Sequence, residues 1–173
     1  LTKANGIDHL SAHDALSDVE ALISVSKLIK TKQPKLFDHL LKMRDKKAVR
    51  ELANLDEKQP FVYVSGRYDS NYHKATVAFP LTAAPNGNIV TFDLRHDPTD
   101  FVDLPVDELA KKVFATWQER KAEDFVALPT KVLQYNRCPA VAPLGVLEQE
   151  NGWERIGLTL ETIKKHMKIL LDH

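Results

Sequence analysis

The chain has 173 residues, 43% of them hydrophobic and 28% charged, with 24 basic residues balanced by 24 acidic ones. That length suits one domain of usual size or a small domain with an appendage. A net charge of zero excludes a globally basic surface, so any nucleic-acid binding requires a local cationic patch or cations supplied by another part of a longer protein. In chain order, Ser11 to about Lys30 reads as a helix. Ser11 and Asp14 resemble a capping box, and Leu16, Val19, Leu22, Ile23, Val25 and Ile29 keep helical spacing. A second helix is expected from Pro34 to Leu55, with Pro34 suited to a first turn.

The texture changes at Pro60. "FVYVSG", "KATVAFPLT", "NIVTFDL" and "FVALPTKVLQY" are short, rich in β-branched and aromatic residues and bounded by Gly, Pro and Asn, as strands are. "APNGN" between the second and third is a hairpin turn signal. "PVDELAKKVFATWQERK" reads as a helix starting near Asp103 or Pro105, and "TLETIKKHMKILLDH" as a last helix capped by Thr159 or Thr162. The expected class is α+β, with a small barrel-like β domain from about residue 57 behind a helical segment.

Other features set the context. One cysteine, Cys138, excludes an internal disulfide, fits a reducing, cytoplasmic setting, and is expected to be a buried structural thiol. No apolar run approaches the roughly 20 residues of a membrane span, and no secretory leader is legible. The chain opens "LTKANG" without methionine, as expected of a piece of a longer protein.

The stretch "SAHDALSDVEAL" raises a chemical question. Asp18 shares a helical stripe with Leu22, Val25 and Ile29, where an ionised carboxylate is costly unless it is hydrogen-bonded or bound to a metal. Asp18 suits a hard cation such as Mg²⁺, and His13 suits deprotonation of a water. The plain alternative is a first-turn acid that favours the helix dipole beside an exposed histidine. One carboxylate is also too few for a two-metal site.

"HDALSDVEALISVSKLIK" resembles the third motif of the DEDDh exonucleases, a histidine followed five residues later by aspartate and an apolar helix. The run from Leu1 to Asp38, together with "KQPFVYVSG" and "YNRCP", resembles the bacterial exonuclease I family, which degrades single-stranded DNA from its 3′ end. The resemblance implies that residues 1–33 are the end of a ribonuclease-H-like exonuclease domain. Residues 34–173 would then be an SH3-like small β-barrel with added helices, 34–56 being its helical lead-in. It implies His13 as general base and Asp18 as one of four acidic ligands for two Mg²⁺ ions. The other three ligands would lie nearer the N-terminus than this sequence, so the piece alone is expected to be inactive. Implied partners are single-stranded DNA and the acidic tail of single-strand DNA-binding protein, acting on a monomer. His39 lies near the place for such a tail, although "APLGVLEQE" offers few cations.

Single-strand binding calls for stacking aromatics beside cations. Arg67 and Lys74, with Tyr68, Tyr72 and His73, fall on one expected loop. Lys131, Tyr135 and Arg137 alternate along one expected strand, and Asn88 closes the hairpin. Each has a plainer role open to it, since tyrosines fill barrel cores and lysines guard strand edges. The remaining histidines show no metal-ligand spacing. Two other readings stand beside the nuclease: a non-enzymatic SH3-like module binding a protein tail or single-stranded DNA, and a DEDDh nuclease acting on RNA, which would not explain the barrel.

Overall fold

A computed structural model of the chain describes residues 3–7 and 14–173. It divides into two compact units, residues 1–43 and 44–173.

The first unit is helical. Helix α1 (Ala15–Lys32) starts at Asp14, whose carboxylate accepts the Ser17 N–H at 3.1 Å. Asp14 is therefore the N-cap; the Ser11 side of the expected capping box lies outside the described residues. Helix α2 (Pro34–Lys42) begins on Pro34 and ends at Met43. The single helix expected from Pro34 to Leu55 is thus two. Asp45 restarts the backbone by accepting the Lys47 N–H and caps α3 (Lys46–Leu52) in the second unit. A local side chain-to-backbone bond outcompeted a continuous helical ladder there.

The second unit is built on an antiparallel sheet of β1 (Phe61–Val64), β2 (Ala75–Ala84), β3 (Asn88–Asp93), β4 (Thr130–Leu133) and β5 (Ala140–Ala142), in the order β4-β3-β2-β1-β5. The β2–β3 hairpin turns on Asn86 and Gly87, both left-handed at φ 61° and 69°, as the "NG" signal requires. Pro80 stands just past the last β2 residue paired with β1, beside a bulge between Pro80 and Thr82, where a missing N–H costs the sheet least. Between β3 and β4 lie α4 (Thr99–Val102) and α5 (Val106–Val113), and after β5 come α6 (Gly152–Arg155) and α7 (Leu160–Asp172). The expected helix over 105–121 stops at Phe114. Of the expected strand over 125–135 only four residues, Thr130–Leu133, form β4.

The two sheet faces differ. Val62, Val77, Phe79, Phe92 and Leu94 pack against Leu147, Ile156, Leu158 and Ile163 of the C-terminal helical segment. Burying such side chains contributes on the order of 1.5–3 kcal/mol each. His166 of α7 is buried in this layer and donates Nδ1–H to the Leu94 carbonyl at 2.8 Å. The opposite face carries Tyr63, Thr76, Thr91 and Lys131. On a flat sheet β1 and β4 would stand about 14 Å apart. Lys131 Nζ nevertheless lies 4.2 Å from the Tyr63 ring centre. The sheet is therefore strongly curled and barrel-like, but no ladder joins β4 to β5 among the described residues.

Candidate nucleic-acid interface

Strand register brings the site together. Tyr63 pairs with Thr76, and Thr91 pairs with Lys131, so side-chain alternation sends all four to the concave face. The Lys131 amine lies 4.2 Å from the Tyr63 ring and 5.4 Å from the Tyr68 ring, and donates to the Ser65 hydroxyl. The two tyrosine rings meet edge to face at 5.6 Å and 79°. The Lys131 ammonium is thus held by cation–π contacts and one hydroxyl, with no carboxylate in the set.

Burial sets the protonation states here. It lowers the Lys131 amine to about 8, with the neighbouring Arg67 charge adding to the effect. It raises the Tyr63 phenol to about 12, partly offset by Arg67. Burial also raises the Tyr68 phenol, with Asp93 reinforcing it. Both tyrosines therefore stay neutral wherever Lys131 titrates.

A cleft of about 530 Å³ opens at this end of the sheet, lined by Ser65, Arg67, Arg120, Lys131, Gln134, Arg137 and Cys138 among others. None of its described lining residues is acidic. A second hollow of about 320 Å³ shares Arg67, Arg120, Thr130 and Lys131 with it and continues past Tyr72 and Arg95, but unlike the first it is also lined by Asp69 and Asp93. The chain is neutral overall, yet it concentrates cations where a curled sheet makes a concave wall. Such a wall focuses positive potential on an anionic ligand.

The expected contact residues divide. Lys131 and Arg67 line the cleft together, and Arg137 joins them. Lys74 does not: its N–H bonds the Asp69 carbonyl and its carbonyl accepts from Ser65, closing the base of the 65–74 loop. Asn88 sits at the hairpin end of β3, about 17 Å along the strand from Asp93, where its amide donates to the Pro85 carbonyl at 3.0 Å. Tyr135 is a correction. It lies beyond the end of β4, is 3% exposed, and donates its hydroxyl to the Ala53 carbonyl under the Arg50 guanidinium. Its ring packs α3 to the sheet and offers no face to a base.

Cys138 is a second correction. It is exposed, has a left-handed φ of 45°, and lines the cleft. A strand residue would have been turned inward, but the chain is already leaving β4 for β5 there. Iodoacetamide is expected to modify Cys138 in the folded protein without denaturant, as peptide mapping by mass spectrometry would read. Modification only above the unfolding midpoint would contradict the exposure.

Arg120 was not expected here, because it falls near the end of the helix expected over 105–121. The chain instead makes a turn in which Thr116 N–H donates to the Glu119 carboxylate at 2.6 Å and Glu119 N–H to the Thr116 hydroxyl at 3.3 Å. Arg120 then binds the Ala115 and Val113 carbonyls at 2.9 and 3.0 Å. The Thr-x-x-Glu spacing was the available signal.

In the first unit, Asp18 is exposed on the first turn of α1, and His13 lies outside the described residues. Of the stripe expected to bury Asp18, Leu22 is 66% exposed while Val25 and Ile29 are half-buried, and the neighbouring Leu16, Val19 and Ile23 are exposed as well. Among the described residues, no group of three or more His, Cys, Asp or Glu could hold a metal ion. Asp18 does not make a metal centre with this chain's described residues. No helix among them is long and apolar enough to cross a membrane.

Residues 44–173 match the family model described as the exonuclease I SH3-like domain. The chain is 33% identical over 175 residues to exodeoxyribonuclease I of Escherichia coli K12, covering 100% of this chain and 36% of that protein. It is 35% identical over 160 residues to that of Haemophilus influenzae, covering 91% of this chain and 34% of that one. It therefore spans about a third of these relatives. Among solved structures it resembles E. coli exonuclease I in complex with a dA16 oligonucleotide, with a TM-score of 0.87 at 32% identity over 100% of this chain and 37% of that one. The moderately thermophilic exonuclease I from Methylocaldum szegediense matches with a TM-score of 0.88 at 35% identity, over the same shares.

Proposed function

Because the chain belongs to the exonuclease I SH3-like domain family, we propose that it is part of a 3′→5′ exonuclease that releases 5′-mononucleotides from single-stranded DNA. The acid-free cationic cleft around Lys131 carries this reading. Arg67, Arg120 and Arg137 suit a phosphate backbone, and Lys131 places one more cation at the floor. The SH3-like unit forms part of the cradle for the strand. Residues 1–33 belong to the exonuclease domain, and the exposed apolar row on α1 supports covering surface from elsewhere in the whole protein.

In that protein Asp18 would supply one of the carboxylates that hold a pair of Mg²⁺ ions, and His13 would take the proton of the attacking water. The other acidic ligands come from outside this chain, which alone is inactive. Such ions stabilise the attacking and leaving oxygens. A zinc-bound form exists of the E. coli exonuclease I–single-stranded DNA complex, which the chain resembles with a TM-score of 0.86 at 32% identity. Docking of the acidic tail of single-strand DNA-binding protein, a monomeric state and a cytoplasmic setting rest on the family resemblance.

The test uses the full-length protein its gene encodes and 5′-labelled single-stranded DNA in Mg²⁺. Stepwise shortening from the 3′ end supports the nuclease. Binding without degradation by the folded protein would leave the SH3-like unit as a non-enzymatic binding module.

Lys131 adds a pH signature. Its protonated form binds phosphate, so affinity in EDTA is expected to be full below about pH 8 and to fall as pH rises through that value. Lys131→Met should remove the pH dependence while flattening the salt slope by about one. Stability moves the other way. The folded amine titrates below its unfolded value, so the burial penalty on the charged form holds below about pH 8 and is relieved between there and the unfolded lysine range. A flat affinity profile from pH 7 to 9.5 would remove Lys131 from the interface.

A further inference from the structure

Trp117 is a large aromatic side chain left outside the core. It is 72% exposed, whereas the chain's other tryptophan, Trp153, packs against the core and donates its indole N–H to Glu148 at 2.9 Å. An indole left in water forgoes a large hydrophobic contribution. The backbone that carries it is hydrogen-bonded into a closed turn. The turn beneath it is closed by the reciprocal Thr116–Glu119 bonds and by backbone bonds from Arg120 N–H to the Thr116 carbonyl and Lys121 N–H to the Gln118 carbonyl, at 3.0 and 3.1 Å. The same turn fixes Arg120, which lines the acid-free cleft and also the neighbouring hollow that holds Asp69 and Asp93. Lys121 Nζ lies 4.7 Å from the Trp117 ring centre. A solvent-facing aromatic ring on a closed turn, flanked by a cation and three residues from a cleft arginine, has the composition of a sequence-tolerant base-stacking element.

We propose that Trp117, with Lys121 against its ring, is a stacking platform for an unpaired base of the strand whose phosphates pass Arg120. The inference rests on the single-stranded DNA reading above and adds to it a residue on the loop between α5 and β4. One ring face carries the lysine and the other receives the base. Stacking tolerates any base, so the platform serves an activity without sequence preference.

The experiment measures binding of a 5′-fluorescein-labelled dT16 oligonucleotide by anisotropy, using full-length protein in EDTA at several salt concentrations. Trp117→Ala is expected to weaken binding roughly 5- to 150-fold with the salt slope unchanged, because a stacked base releases no counterions. Trp117→Phe is expected to restore most of the affinity. The thermal midpoint of Trp117→Ala should stay within about 2 °C of the parent, since an exposed side chain contributes little to stability. Unchanged affinity in Trp117→Ala, with normal binding by the parent and weaker binding by Lys131→Met, overturns the platform and leaves the DNA reading standing. Equal losses in Trp117→Ala and Trp117→Phe also overturn it, as do losses accompanied by a flatter salt slope. A parent protein that binds no single-stranded DNA overturns both readings.

Discussion

Asp18→Asn in the full-length protein is expected to lower mononucleotide release from single-stranded DNA at least about a hundredfold, with the fold unchanged. The substitution keeps the side chain's shape and removes the charge that a divalent cation requires. Asp18 is exposed on the first turn of α1, where the Asp14 carboxylate caps the backbone. A first-turn acid contributes about 0.3–1 kcal/mol through the helix dipole. Asp14→Ala is the complementary control. It removes the cap at a cost of about 0.5–2 kcal/mol to the helix while leaving the Asp18 carboxylate in place. Rates are read on 5′-labelled strands in Mg²⁺, and binding in EDTA should be unaltered by Asp18→Asn. A variant that degrades DNA as fast as the parent would reduce Asp18 to a helix-dipole residue and remove it from the metal site.

Gly157→Ala is expected to destabilise the second unit by about 2–5 kcal/mol, the sum of a left-handed backbone penalty and an overpacking cost. Gly157 has φ 62°, and a Cβ there would meet Tyr72 Cε1 at 2.6 Å. Tyr72 cannot retreat easily, because the Arg95 guanidinium covers its ring at 3.7 Å. Arg95 in turn reaches three carbonyls, Ile156 at 2.8 Å, Ala75 at 3.2 Å and Gly157 at 3.4 Å. One side chain therefore ties the start of β2, the 65–74 loop and the α6–α7 connection together. The expected drop in thermal midpoint is on the order of 10 °C by calorimetry. Single-strand affinity measured well below that midpoint should fall too, because the displaced loop carries Arg67. A midpoint within about 2 °C of the parent would mean that Tyr72 and Arg95 rearrange without cost.

Local signals were readable wherever a few adjacent residues decided the outcome. "NG" set the β2–β3 turn, Thr159 capped the last helix by accepting the Thr162 N–H, and Pro34 opened α2. The same reasoning failed where a local bond competed with periodicity. Asp45 broke a helix that its apolar pattern supported, and β5 is only three residues long, too short for period-two alternation to register.

The candidate site divides along the same line. The His13–Asp18 spacing, the apolar helix behind it and the cations near Lys131 are properties of neighbouring residues, so the sequence by itself determined the family and the parts of the interface. Which cations meet was decided by the curl of the sheet. Lys131 and Ser65 are 66 positions apart and bond only because β4 folds over toward β1. Arg120 joins them through the turn at Thr116, while Asn88 and Lys74 are held away by their places on the hairpin and loop. Burial was likewise a tertiary outcome: packing of α3 took Tyr135 inward, and the exit from β4 turned Cys138 out. Period-two alternation fixes a side chain's face only while the strand lasts. Beyond its last hydrogen bond, contacts from distant elements choose the direction.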